Sequence, residues 1–249
     1  KFLIESGVNK NLIKVTADPT LSLKESSKKE IYKLLSQENI DLKKPKIVIC
    51  LRHWFDLYRF IPVSIVKKFN IQNKNNKIKY NYFVGEIAKF LNYCKDNLNF
   101  QLIFLPFWIN RDNKVHEDII NLFNNKYNVY LLNKEYTPKQ VKGIIKISDL
   151  VLGMRLHSII FATSNKKPFI AIDYCQKVTN YLKMLFSKNS LIKKISVKPE
   201  IFSSNELIDK MEFVLEHNPL NSQEFSRNIS ILLRKENKNL NYLTKIIQK

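Results

Sequence analysis

The chain has 249 residues, 42 of them lysine or arginine against 22 aspartate or glutamate, for a formal net charge of +20 at neutral pH. A hydrophobic fraction of 45% with 12% aromatic residues argues against a disordered chain, and the length suits one large α/β domain or one domain plus appendages. No apolar run reaches the roughly 18 residues that a membrane span needs. In chain order, residues 1–45 offer one short strand candidate, "LIKV" at 12–15, then the turn-like "TADPT" and a polar helix around 24–38. From residue 46, short runs rich in β-branched and aromatic residues alternate with longer amphipathic ones. The strand candidates are 46–52, 100–106, 128–132, 149–153 and 168–173, each apolar enough to be buried on both faces. The helical stretches between and after them are 83–97, 115–126, 137–147, 155–164 and 177–187, with Thr137 and Pro138 as N-cap and first helical residue of the third. Residues 70–79, "NIQNKNNKIK", read as a polar loop, and 202–217 and 222–247 as helices. This alternation predicts a doubly wound, mostly parallel Rossmann-like sheet.

The positive charge raises nucleic acid as a partner, and the sequence argues against it. Of the 42 basic residues 36 are lysine, scattered among Asn and Ile rather than clustered with aromatics, and no zinc-finger, helix-turn-helix or RNA-binding motif is visible. Scattered lysines make a solvated surface, one compatible with an anionic membrane or polymer. Cys50, Cys94 and Cys175 form no CxxC pair or metal-ligand cluster and read as reduced thiols of a cytoplasmic protein. The four glycines, Gly7, Gly85, Gly143 and Gly153, build neither GxGxxG nor GxxxxGK, which rules out the usual dinucleotide and P-loop sites.

Ligands of an open parallel sheet bind beyond the carboxyl ends of its strands. There "DLVLG" runs into Met154-Arg155-Leu156-His157, where free helix N–H groups and the helix dipole favour an anion. Arg155 offers a bidentate fork and His157 a group that gives or takes a proton near neutral pH. Residues two apart on a helix point about 200° apart, so their convergence requires a non-helical first turn. Arg52 closes the first strand of the alternating region and Lys177 opens the helix after "PFIAID", so both are expected at the same rim. His53 and Trp54 serve the pocket or the packing. In "LPFWINRD" (105–112), Phe107 and Trp108 could stack on a sugar ring, with core packing the preferred reading. His116-Glu117-Asp118 reads as an acidic helix start rather than a metal cluster, and His217 as exposed. No metal site is expected.

The run "YTPKQVKGIIKISDLVLGMRLHSIIFATSNKKPFIAIDYCQKV", with "VTADPTLSL" (15–23) and "KIVICLRHW" (46–54) upstream, resembles the polysaccharide pyruvyl transferase family over about 170 residues. The resemblance implies a lobe of a two-lobed, GT-B-like enzyme. It implies a transferase that moves the pyruvyl group of phosphoenolpyruvate (PEP) onto two hydroxyls of a sugar in a cell-wall or capsular polysaccharide, forming a ketal and releasing phosphate. PEP is then the donor substrate, no cofactor is implied, and the acceptor is a saccharide or lipid-linked polysaccharide. The setting is the cytoplasm, extending to the inner face of the membrane. Arg155 and His157 match the family's PEP-binding arginine and histidine, with Leu156 between them. Lys177 matches the lysine of its "YDPKV" segment, and Arg52 the arginine after the first strand of the second lobe. Catalysis is thereby assigned to His157, Arg155 and Lys177, and substrate binding to these three with Arg52 and Leu156. Where the family reads "SYDPKV" this chain reads "DYCQKV", with Cys175 and Gln176 in place of Asp-Pro. The expected organisation is 1–45 as linker or remnant of a first lobe, 46–220 as the PEP-binding lobe and 221–249 as a C-terminal helix. Starting at Lys1 without methionine, the chain reads as a fragment of a longer protein. Two alternatives stand beside this: a GT-B-type nucleotide-sugar glycosyltransferase and a non-catalytic binding lobe.

Overall fold

The computed structural model describes residues 2–54 and 74–247. The alternating segments form six parallel strands: β1 (Lys46–Cys50), β2 (Gln101–Phe104), β3 (Val129–Leu131), β4 (Leu150–Gly153), β5 (Phe169–Ile172) and β6 (Ser196–Val197). Their spatial order is β3-β2-β1-β4-β5-β6, with Ile47 opposite Leu102 on one side of β1 and Cys50 opposite Gly153 on the other. Every residue of β1, β2, β4 and β5 is buried, which is why these strands read as unbroken apolar runs rather than as alternation.

The helices are α1 (Phe2–Glu5), α2 (Lys28–Gln37), α3 (Lys74–Leu98), α4 (Ile109–Ile120), α5 (Pro138–Lys146), α6 (Leu156–Ser164), α7 (Gln176–Leu185), α8 (Asn189–Ile195), α9 (Ser204–Glu216), α10 (Gln223–Glu236) and α11 (Lys238–Ile247). Chain progression reverses at β1, so right-handed crossovers put helices on both faces of the sheet. One layer contains α3, α4 and α9, and the other α2, α5 and α6. The switch point between β1 and β4 is where a crevice opens in such sheets. Residues before β1 share the main core, to which they give Leu21, Ile31, Leu35 and Ile40.

Local chemistry sets several boundaries. Thr137 and Gln140 form a reciprocal capping box at the start of α5, with Pro138 at its first turn. A Cβ on Gly143 would stand 2.6 Å from Cγ1 of the buried Ile31, so α5 meets α2 through a bare backbone. Gly143→Val is expected to lower stability by about 1–3 kcal/mol through overpacking. Thermal unfolding checks this, at roughly 2–4 °C of Tm per kcal/mol for a chain of this size.

The structure corrects four readings and adds two elements. "LIKV" is not a strand: Lys10–Leu12 is a 3-10 turn, and the following residues run past α6, α7 and α10 rather than beside a strand. Residues 74–79 are the solvated start of α3, whose burial begins at Phe83; their polarity marks an exposed helix end, and 70–73 lie outside the described residues. The helix placed at 115–126 begins at Ile109 and ends at Ile120. The C-terminal helix is two helices, broken at Asn237. The two-residue β6 and the short α8 were too brief to leave a periodic signal. No helix among the described residues is long and apolar enough to cross a membrane.

Candidate active site

The turn from β4 into α6 is fixed by the neighbouring strand. The Met154 and Arg155 N–H groups both donate to the Cys50 carbonyl, at 3.0 and 3.3 Å. Arg155 is the N-cap in extended conformation and makes no side-chain cap bond. The first helical N–H groups, those of Leu156 and His157, have no carbonyl one turn back to receive them. Gly153 lets this turn sit low: a Cβ there would lie 2.8 Å from Ser158 Oγ, the hydroxyl that donates to the Arg155 carbonyl at 2.6 Å.

Because Arg155 precedes the helix proper, its side chain leaves in a different direction from that of His157. It forms a bidentate pair with Asp112 on α4, with Nε 3.0 Å from Oδ2 and an Nη on Oδ1. Asp112 is fully buried and Arg155 mostly so. The same Oδ2 accepts the N–H groups of Phe107 (3.1 Å) and Trp108 (2.9 Å), so one carboxylate holds both the arginine and the loop after β2. One turn further along α4, His116 Nε2 accepts the Leu51 N–H at 3.2 Å. Burial, with the Arg155 charge adding to it, lowers the His116 pKa to about 3. α4 therefore grips the approach to both arginines, through Asp112 to Arg155 and through His116 to the residue before Arg52.

Arg52 reaches across the end of β4 to Tyr174, donating to its hydroxyl at 3.0 Å and lying 5.0 Å from its ring centre. Its Nε is buried without a hydrogen-bond partner. Beyond Tyr174, the buried Asp173 accepts from Lys198 at 2.6 Å and from Thr179 at 2.8 Å. Cys175, in place of the family's aspartate, is the N-cap of α7 and supplies no cap bond. His53 and Trp54 pack on Tyr80 and Tyr174, with ring centres 4.6 and 6.3 Å apart.

His157, half-exposed, has Nε2 3.5 Å from Asp18 Oδ2, where the carboxylate pairs with the ring in its protonated form. Asp18 is itself oriented by the N–H (2.9 Å) and hydroxyl (2.6 Å) of Thr20. His157 lines a cleft of about 600 Å³ whose walls include Thr20, Trp108, Asn110, Tyr136 and Phe161. Lys177 lies elsewhere, in a groove of about 530 Å³ that it shares with Leu156, Tyr181 and Asp18. The expected single rim is thus divided: Arg52 and Arg155 follow adjacent strands, while His157 and Lys177 open into separate spaces on either side of Asp18.

Two aromatic and acidic expectations change. Trp108 is not core but 50% exposed, because the loop that carries it is pinned outward by Asp112. His116, Glu117 and Asp118 lie in the C-terminal half of α4 rather than at a helix start. They diverge there: His116 enters the core, Glu117 faces solvent, and Asp118 accepts from Tyr80 at 2.5 Å and pairs with Lys114 at 3.1 Å. Among the described residues no group of three or more His, Cys, Asp or Glu side chains is placed to hold a metal. Residue types alone did not single out Asp18, Asp112 or His116 as site residues. For Asp18 the one local signal was the Asp-Pro turn in "TADPT"; Asp112 and His116 share a helix face by their spacing of four.

A six-stranded parallel sheet with this order, and polar groups gathered at its switch point, defines an α/β protein resembling the C-terminal lobe of GT-B-like enzymes. The pattern of the family described as polysaccharide pyruvyl transferase matches residues 1–176, and the chain belongs to that family. No curated protein matches it. Among solved structures it is similar to a putative UDP-N-acetylglucosamine 2-epimerase from Listeria monocytogenes, with a TM-score of 0.58 and 10% identity over 98% of this chain and 56% of that one. UDP-GlcNAc 2-epimerase from Methanocaldococcus jannaschii, solved with UDP-GlcNAc and UDP, gives 0.55 and 12% over 93% and 57%. Anabaena HepE in complex with UDP and glucose gives 0.53 and 15% over 99% and 60%. These likenesses are of fold, and the chain spans only those 56–60% of each structure's length.

Proposed function

We propose that the chain is the donor-binding lobe of a pyruvyltransferase that uses PEP to place a pyruvate ketal on a sugar of a cell-wall or capsular polysaccharide. The observation that carries this reading is His157 on a cleft wall two residues after Arg155, at the anion-favouring start of α6, in a chain of this family. The unpaired N–H groups of Leu156 and His157, with Arg52 and Arg155 behind them, suit the phosphate and carboxylate of PEP. Arg155 shares its charge with Asp112, so it acts as a fixed fork rather than as a mobile cation. Lys177 opens into the neighbouring groove rather than into this cleft, so this reading gives it no contact with the phosphate that leaves beside His157.

Protonated His157 delivers its proton to the methylene carbon of PEP and makes C2 electrophilic. One sugar hydroxyl adds there, and the second displaces phosphate to close the ketal. Of the two hydroxyl protons lost, one replaces that spent on the new methyl group and the other leaves with phosphate. General-acid help of this kind contributes about 10²–10⁴-fold. The acceptor is a saccharide or its lipid-linked form, met on the cytoplasmic side of the membrane.

His157→Ala is expected to lower PEP-dependent pyruvyl transfer by about that factor without loss of fold, since the side chain is half in solvent. Retained turnover would remove histidine as the acid. Arg155→Lys keeps a cation against Asp112 but gives up the planar fork, and calorimetry should show PEP binding weakened about tenfold or more. Tighter binding of UDP than of PEP would instead favour a nucleotide-sugar glycosyltransferase.

A further inference from the structure

From the cleft beside His157 we infer a binding site for the acceptor, a neutral hexopyranose ring that stacks on Trp108; this rests on the pyruvyl-transfer reading above. The indole is half-exposed, yet its backbone is not loose, because the Phe107 and Trp108 N–H groups are both fixed on buried Asp112. Arg111 lies 3.9 Å from its ring centre, which fixes the orientation of the indole as well. A held, solvent-facing aromatic plane offers the C–H face of a sugar apolar area that need not be organised on binding.

The rest of the wall fits the same class of ligand. Phe161 and Tyr136 add apolar surface, and Thr20, Asn110 and Glu135 add hydrogen-bonding groups. The charge balance points to a neutral sugar rather than a nucleotide. The cleft's lysine, Lys134, is paired with Glu38 at 2.6 Å, and Glu135 offsets the charge of the Arg111 that stacks on Trp108, a near-neutral balance that suits an uncharged ring. At about 600 Å³ the space lies within the roughly 300–1,000 Å³ of small-ligand sites. A ring stacked on Trp108 shares this space with His157, the group assigned to deliver the proton.

The test uses the full 249-residue chain and methyl hexopyranosides of gluco, galacto and manno configuration, followed through the indole N–H signals of Trp54 and Trp108 by NMR. The Trp108 signal should shift saturably at millimolar concentration with at least one of them. Trp108→Ala should weaken that binding about tenfold or more, and Trp108→Phe should restore most of it. PEP affinity should stay unchanged in both variants. No shift at Trp108, a shift confined to Trp54, undiminished binding by Trp108→Ala, or a Trp108 response to UDP but not to the glycosides would each overturn the site. If PEP binds and the glycosides do not, this site fails while pyruvyl transfer stands. If the glycosides bind at Trp108 and PEP does not bind, the donor reading fails and the saccharide site remains.

Discussion

Asp112→Ala is expected to be the most damaging single substitution near the site, at about 3–5 kcal/mol, the range for breaking a buried ion pair from one side. Three losses coincide. The Arg155 guanidinium is left mostly buried without its counter-charge. The Phe107 and Trp108 N–H groups lose their acceptor, and α4 loses its tether to the turn before α6. Domains are typically stable by only about 5–15 kcal/mol, so the variant should unfold at markedly lower urea concentration. Asp112→Asn separates the parts: its amide oxygen still accepts a backbone N–H, but the charge is gone. It should recover part of the stability while PEP binding changes, because Arg155 then carries an uncompensated charge. Equal stability of Asp112→Ala and the parent would show that the pair is not structural.

Acidification should destabilise the protein through His116 before the carboxylates matter. In the unfolded chain this histidine titrates near 6.5, and in the folded one near 3. Between those values the unfolded state binds the extra proton, so stability falls as pH falls. Each unit below 6.5 costs about 1.4 kcal/mol, or roughly 2–3 kcal/mol by pH 4.5. Protonating Nε2 would also remove the acceptor of the Leu51 N–H. The carboxylates Glu25, Glu86 and Glu224 have folded values lowered from 4.5 by their ion pairs and hydrogen bonds, so their contributions are lost only at more acid pH. Urea midpoints at pH 7 and 5 should separate for the parent and converge for His116→Gln, which keeps an acceptor but does not titrate. A parent midpoint independent of pH over that window would refute the assignment.

The sheet was legible in the sequence because buried parallel strands leave short apolar runs that need no partner to be seen. The five longer strands fall within the stretches read for them, and Thr137-Pro138 marks its helix start. What could not be read were contacts between side chains far apart in the chain. Arg155 and His157 were visible as residue types at a strand end, but Asp112 lies 43 residues from Arg155. Trp108 was assigned to the core by its chemistry, and it is exposed because of a hydrogen-bond pattern that composition does not encode. The polar start of α3 failed for the converse reason: solvated helix surface and loop have the same composition when no apolar face is yet being buried.

The Asn239 side chain donates to the Ala17 carbonyl at 3.0 Å across 222 residues of sequence, one position before the aspartate that meets His157. Closing a loop of that length comes late in folding, since entropy must be spent before the contact forms. The segment that carries the histidine's carboxylate is held from two sides, by α11 through Asn239 and by the core through Leu21, whose carbonyl accepts from Lys142 at 3.0 Å. Nicking the chain before α11 should leave the Rossmann-like core intact and loosen, without releasing, the segment that brings Asp18 to the imidazole.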